Sequence, residues 1–452
     1  MGVLIKNAYI AGKDGAFYGD LLTDGEKIAK VGESIECEGA EVFDAAGRYL
    51  LPGGVDPHTH VMLRSGSCRV SDGFAAATRA ALIGGTTTIA EHPSFHDRGV
   101  PLSFAIDETL AEGEGSSFVD FGVHLVFQRY DDEIAREVPE IISRGFPTGK
   151  VYTTYVGKLS DNEIFELMLK MKEAHGLLFY HCENDAITNG LAAQYRKNLP
   201  TKYSCWPKSR PDYCEAEAVR RVLALSRAAQ VPSYIVHLST QEALEEVIRA
   251  RRAGVQVYVE TCTQYLTLTD SCYDQENGLD FVMAPPLRKS SDCERLWHAL
   301  GQGDIDTVGT DHCSFSRADK VRLGAENIFK APGGIPGIES RMEILFSEGV
   351  MKKRLSLERF VAVTATNPAA ILGFKDKGRL EAGADADLVI IDPEKTHTLT
   401  VDTLHQKVDY TPYEGMTVRG CVTDVWLRGE HKVADGKLVS ETPSGKLVRR
   451  AL

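Results

Sequence analysis

Val55-Asp56-Pro57-His58-Thr59-His60 is the stretch on which the reading of this chain turns. Two imidazoles two residues apart on an extended strand point to the same face, where one metal ion can take both; a helix would splay them. Other residues of metal-binding type also stand where short apolar runs end. Lys150 closes Phe146-Pro147-Thr148-Gly149-Lys150, His181 ends Leu177-Leu178-Phe179-Tyr180-His181, His237 follows Tyr234-Ile235-Val236, and Asp311 follows Asp306-Thr307-Val308-Gly309-Thr310. Each alone has an ordinary reading, as a hydrogen-bonded strand-end histidine, a solvated lysine or a loop carboxylate. Their co-occurrence at the ends of different strands points to one polar rim, and to a hydrolase holding two metals.

The apolar runs belong to a longer rhythm. Strand-like segments fall near 50–58, 86–91, 119–125, 147–153, 177–181, 233–238, 255–260 and 306–311, with helical or loop stretches between them. Ser160 to Glu163 fits a capping box, followed by Ile164, Leu167, Met168 and Met171 at helical spacing; Ser239 to Glu242 repeats the capping pattern, and Gly254 is placed to end that helix. Alternating strands and helices predict an α/β protein built on a (β/α)8 TIM-like barrel, in which polar residues at strand C-termini form the active site.

At 452 residues and 43% hydrophobic content the chain exceeds what a barrel needs. The flanks are β-rich: Val3-Leu4-Ile5, a turn at Asp24-Gly25 and Lys27 to Val31 at one end, Leu388 to Ile391, Val422 to Leu427 and a hairpin signal at Asp435-Gly436 at the other. We therefore expect residues 1–50 and 376–452 to pair into a small β-sandwich domain, and residues 51–375 to form the barrel.

A net charge of −13 argues against a nucleic-acid partner, since the one basic cluster is the tail Lys446, Arg449 and Arg450, read as a solvated end. No run approaches the ~20 apolar residues of a membrane span, and Met1-Gly2-Val3-Leu4-Ile5 reads as a strand rather than a signal peptide, so a cytoplasmic location is expected. Ten cysteines with no C-x-x-C pair are read as reduced thiols, with packing the role of Cys182 and Cys313. His175, His298, His397, His405 and His431 fall away from the rim; His92, His96, His124 and His312 are nearer, with His92 placed to back the ligands and His312 expected to point away from them.

Six motifs in order make the chain recognisable: Gly53-Gly54-Val55-Asp56-Pro57-His58-Thr59-His60, Lys150-Val151-Tyr152-Thr153-Thr154-Tyr155, His181-Cys182-Glu183-Asn184, Val236-His237-Leu238-Ser239, Ala284-Pro285-Pro286-Leu287-Arg288 and Gly309-Thr310-Asp311-His312. Over essentially its whole length it resembles the cyclic amidohydrolases of the amidohydrolase superfamily, and within them the dihydropyrimidinase and D-hydantoinase branch. The resemblance implies that Lys150 is carbamylated by carbon dioxide and bridges two divalent metals, that His58, His60 and Asp311 hold one and His181 and His237 the other, and that a hydroxide is shared between them. Zinc suits such donors, as do manganese and cobalt. It further implies that Asp311 acts as base and then acid, and that Tyr155 donates to the oxyanion.

Several positions bear on the substrate. By the resemblance Ala284 and Gly333 grip the cyclic imide through backbone groups, and both depart from the serine and asparagine common in hydantoinases. Met62, Leu63, Phe95, Tyr152 and Val156 either line an apolar mouth or pack their own loops. Dihydroorotases carry an arginine two residues past H-x-H, where this chain has Met62. The resemblance thus implies a hydrolase opening hydantoins or dihydropyrimidines to N-carbamoyl amino acids, with an allantoinase-type ureide hydrolase as the alternative and a non-catalytic scaffold as a third reading. Relatives of this kind are commonly homotetramers, so a homo-oligomer is expected.

Overall fold

The computed structural model describes residues 2–452; Met1, at the head of the expected opening strand, lies outside the described residues. Eight parallel strand positions follow one another around the centre: β1 (Gly54–Thr59), β2 (Thr86–Glu91), β3 (Asp120–Val123, resumed at Leu125–Val126), β4 (Thr148–Tyr152), β5 (Leu177–His181), β6 (Ser233–Ile235), β7 (Val257–Cys262) and β8 (Thr307–Gly309). Pairing runs β1-β2-β3 and then from the second piece of β3 through β4, β5, β6 and β7 to β8, always between parallel neighbours. A bridge between Thr59, the last residue of β1, and His312, just beyond β8, brings the last strand back to the first. Every residue of β1, β2, β4 and β5 is buried, the pattern of strands covered on both faces. The expected barrel is present.

Local signals account for the helices between strands. Helix Asp161–Glu173 starts at the Ser160/Glu163 capping box and buries Ile164, Leu167, Met168 and Met171. The second expected cap is displaced by one residue. Thr240, whose side chain accepts from the backbone of Ala243, caps helix Gln241–Arg252. Ser239 is drawn elsewhere, because its backbone and hydroxyl both donate to the buried carboxylate of Glu215, at 2.8 and 2.5 Å.

Strands from both chain ends form one nine-stranded sheet beside the barrel. Val3–Gly12, Gly15–Asp24 and Lys27–Gly32 come from one end, and Leu388–Thr398, Thr417–Leu427, Glu430–Ala434 and Lys437–Leu438 from the other. Asp435 and Gly436 both have positive φ, as a two-residue hairpin turn requires. Ile5, Leu21, Ile28, Leu388, Ile390 and Trp426 pack as a core of their own. The segment expected as one barrel strand over 50–58 is divided between the two bodies. Tyr49–Pro52 pairs with Val3–Gly12 and Leu388–Thr398, and the barrel strand begins at Gly54. Gly53 and Gly54 leave no room for a side chain there: a Cβ would lie 2.2 Å from Thr87 Oγ1 at the first and 2.9 Å from Arg341 Nη2 at the second.

The basic tail is not a solvated end. Phe121 donates to the carbonyl of Lys446 (3.0 Å), Val448 donates back to Phe121 (2.8 Å), and Arg450 is 3% exposed. Its guanidinium donates to the Val123 carbonyl at 2.5 Å and lies over the Phe374 ring, so one end of the chain is stitched to β3. Removing Arg450 leaves a buried carbonyl without its partner, at a cost of about 1–3 kcal/mol. Arg450→Ala is expected to lower the urea unfolding midpoint accordingly, while Lys446→Ala, at an exposed side chain, shifts it little; equal midpoints for the two variants would contradict the stitching role.

Candidate metal centre and catalytic pocket

The six candidate ligands meet at the C-terminal rim of the barrel. His58 Nε2 lies 3.2 Å from His60 Nε2, 3.2 Å from Lys150 Nζ and 3.2 Å from Asp311 Oδ1, and His60 Nε2 is 3.1 Å from the same carboxylate oxygen. On the neighbouring side His181 Nδ1 faces His237 Nε2 at 2.9 Å. The His58 and His237 rings stack at 5.5 Å and join the two groups.

Buried carboxylates behind the rim set which nitrogen faces in. His58 Nδ1 is 2.7 Å from Glu260 Oε1, which holds that nitrogen outward and leaves Nε2 facing the cluster. Glu260 also accepts from the backbone of His237 at 3.0 Å. His181 is turned the other way, its Nε2 donating to Glu183 Oε2 at 2.8 Å and leaving Nδ1 inward. Arg210 ion-pairs with Glu183. Burial opposes ionisation of that carboxyl, but Arg210 and the His181 contact hold it down to about 2. Glu260, Glu183 and Arg210 were not among the sequence candidates. Glu183 stands two residues past His181 and could have been found by the same strand alternation; Glu260 and Arg210 carry no local signal.

These donors fit divalent cations. Burial, with Lys150 among the contributing charges, drives the His58 and His237 imidazoles well below their ordinary range, so both present lone pairs at neutral pH. Lys150 is 1% exposed, and burial pushes its ammonium down to about 8 despite Asp311 and Glu260 nearby. Nitrogen lone pairs packed 2.9–3.2 Å apart with a carboxylate among them form an arrangement that a cation resolves. A further imidazole, His92, stacks on His124 at 4.1 Å and lies 4.5 Å from the His58 ring, with neither ring nitrogen hydrogen-bonded among the described residues. One ring nitrogen each from His58, His60 and His92 falls within 4.8 Å of the others. His312 points away as expected, bonded to Asp72 at 2.9 Å. His96 is also apart, facing Glu108 at 3.2 Å.

A cavity of about 390 Å³ opens onto the cluster, and Tyr155, Tyr152, Leu63, Phe95, Ala284 and Gly333 lie along its wall. Two expected lining residues are elsewhere. Met62 is drawn into the core because the buried Glu91 carboxylate accepts from the backbone of both Val61 and Met62, at 3.0 and 3.1 Å. Val156 is 88% exposed, turned outward after Tyr155, whose φ of 73° bends the chain. Sequence reasoning missed Trp206 and three arginines of the wall, Arg64, Arg196 and Arg210. Cys182 packs in the core, whereas Cys313 reaches the cavity; all ten cysteines are free. The Tyr155 ring lies 5.0 Å from His181, and burial raises its phenol above the ordinary range, which keeps the hydroxyl protonated as a donor. No helix among the described residues is long and apolar enough to cross a membrane.

Comparisons with known proteins identify the family. The model of the Amidohydrolase family matches residues 49–439. The chain is 38% identical over 453 aligned residues to a D-phenylhydantoinase of Escherichia coli O1:K1, covering 100% of this chain and 98% of that protein. Among solved structures, dihydropyrimidinase from Brevibacillus agri NCHU1002 superposes with a TM-score of 0.97 at 37% identity, over 100% of this chain and 99% of the other. The L-hydantoinase (dihydropyrimidinase) of Arthrobacter aurescens gives 0.92 at 28% identity over 99% of each chain. With a histidine-rich cluster at the barrel rim and full-length similarity to such enzymes, the chain belongs to the amidohydrolase family of metal-dependent hydrolases.

Proposed function

We propose that this protein is a binuclear-metal cyclic amidohydrolase that adds water across the cyclic amide bond of hydantoins or dihydropyrimidines, releasing N-carbamoyl amino acids. The observation that carries the reading is the convergence of four imidazoles, Lys150 and Asp311 on one point beside Tyr155. His58, His60 and Asp311 would hold one ion and His181 and His237 the other, with Lys150 as a carbamate serving both. Zinc is the expected ion, and manganese and cobalt also suit this donor set. Bound ions would acidify a water and polarise the scissile carbonyl.

The chain's own residues supply the rest. Asp311 is placed to accept a proton from the attacking water and return it to the leaving ring nitrogen. Tyr155 donates its hydroxyl to the oxygen on which charge develops. Backbone groups at Ala284 and Gly333, both on the cavity wall, would hold the imide ring. Arg210 lies over both the Tyr155 and Trp206 rings, at 5.6 and 5.0 Å, and holds Glu183 against His181, so it acts as a positioning residue. The reading also carries a cytoplasmic location and a homotetramer, the latter checked by sedimentation. A turnover panel of hydantoin, dihydrouracil, 5-phenylhydantoin, allantoin and dihydroorotate tests the substrate class. Hydantoins or dihydrouracil should lead, and a preference for allantoin or dihydroorotate would overturn the reading.

The purified protein is expected to carry close to two divalent ions per chain by elemental analysis, and chelation should abolish activity that added metal restores. Lys150→Ala should lose paired metal binding, with partial rescue by short-chain carboxylic acids. Carbamate formation needs the neutral amine. With the Lys150 ammonium pushed down to about 8, uptake of labelled carbon dioxide by metal-free protein should rise through about pH 8, rather than near the ~10.4 of an ordinary lysine. A carbamate carbon resonance that never appears would exclude the modification.

Tyr155→Phe removes one oxyanion donor and should lower kcat by roughly 10²- to 10³-fold with metal content unchanged. Full activity in this variant would remove Tyr155 from the mechanism.

A further inference from the structure

The cavity is large enough for more than a bare five- or six-membered ring, at about 390 Å³, so a substituent on the ring is accommodated and its far end must meet something. One wall is a face of helix Asp185–Asn198, because Thr188, Ala192 and Arg196 recur four residues apart and all border the cavity. Thr188 is buried, Ala192 half-buried and Arg196 exposed, so the helix runs from the cavity floor to its rim. Eight residues of helix place Arg196 about 12 Å beyond Thr188 along the axis.

Of the three arginines on the wall, two are neutralised. Arg64 pairs with Glu108 at 3.3 Å, and Arg210 is committed to Glu183. Arg196 has no carboxylate within 4.0 Å among the described residues, and its guanidinium lies over the Phe329 ring at 5.8 Å. Stacking against an aromatic face steadies a guanidinium while leaving its N–H edge free for a bidentate acceptor. A chain of net charge −13 thus keeps an unneutralised cation at the mouth of its cavity.

We propose that the site prefers cyclic imides whose ring substituent ends in a carboxylate on a flexible arm, and that Arg196 is the specificity residue that binds this carboxylate. The proposal rests on the ring-opening reading above. It distinguishes arm length: a carboxylate set directly on the ring, as in dihydroorotate, would sit near the cavity floor and short of Arg196. The competing occupant is an aromatic substituent stacking on Phe329 and Trp206, which needs no charge.

The test compares 5-(2-carboxyethyl)hydantoin with its neutral isostere 5-(2-carbamoylethyl)hydantoin and with 5-phenylhydantoin, in metal-loaded wild type, Arg196→Gln and Arg196→Glu. In wild type the carboxylate should have a KM about 5-fold below that of the amide, the upper end for an exposed ion pair, and the margin should shrink at high salt. Arg196→Gln should erase the preference and Arg196→Glu reverse it. Melting temperature and metal content, measured alongside, show that the variants are folded. Equal KM values in wild type, a preference that survives Arg196→Gln, or a higher kcat/KM for 5-phenylhydantoin than for the carboxylate would overturn the assignment. Wild type that turns over neither these compounds nor hydantoin itself would instead overturn the ring-opening reading.

Discussion

The carboxylate of Asp56, fully buried between the first and last barrel strands, accepts from the Thr310 hydroxyl at 2.6 Å and from the backbone of His58 and Thr310 at 3.2 Å each. That one side chain ties β1 to the end of β8 on the residues just before Asp311. The Asp311 backbone then donates to the His58 carbonyl at 3.0 Å, and His60 donates to the His312 carbonyl at 2.9 Å. Strand closure and ligand placement are therefore the same set of bonds, and loosening the seam would separate His58 and His60 from Asp311. Arg341, buried beside it, donates to the carbonyls of Val55 and Val308 and to the Thr86 hydroxyl, clamping three strands. Burial makes ionisation costly for both groups, and the Arg341 charge is the largest influence holding Asp56 toward its charged form.

The cluster above this seam is electrostatically poised for cations. Burial holds the His58, His181 and His237 imidazoles neutral and pushes Lys150 toward the amine, while Glu260 and Glu183 stand behind the histidines rather than among them. Glu260, whose carboxyl burial pushes up to about 8, and Glu183, held ionised by Arg210, anchor the outer nitrogens of His58 and His181 without occupying the space in front of the inward ones. The same layering explains why lone histidines did not suffice as a signal. His58 and His181 each have a carboxylate on the outer nitrogen, whereas His312, one residue from Asp311, has both ring nitrogens engaged away from the cluster, one with Asp72 and one accepting from Gly337.

What the sequence made legible follows from period and spacing. Strand period placed His58 and His60 on one face, and short strand-like segments located β2, β4 and β5 to within a residue. The seam could not be read in advance, because Asp56 and Thr310 are far apart in the chain and neither type announces a partner. The 50–58 segment looked like one strand because both halves are apolar; what divides it is tertiary, the Gly53-Gly54 crowding against Thr87 and Arg341. Met62 misled for a related reason, since an apolar residue beside a ligand suits a pocket and a core equally until the Glu91 carboxylate decides the direction of its backbone. The tail misled through charge: Arg450 is basic by composition, yet it is spent on buried carbonyls.

Three site residues lie where only glycine is comfortable. Tyr155, His237 and Asp311 have φ of 73°, 38° and 51°. Left-handed backbone costs a non-glycine residue on the order of 1–3 kcal/mol and persists only where the surroundings over-determine it. Here they do so by identifiable bonds: Glu260 accepts from the His237 backbone, and the Asp311 backbone is held by His58. Glycine at any of the three would relieve the strain and delete an imidazole, a carboxylate or a phenol from the cavity. The strain therefore marks positions where the chain leaves a strand and must turn a functional side chain back over the barrel mouth, a geometry that regular β-structure alone does not provide.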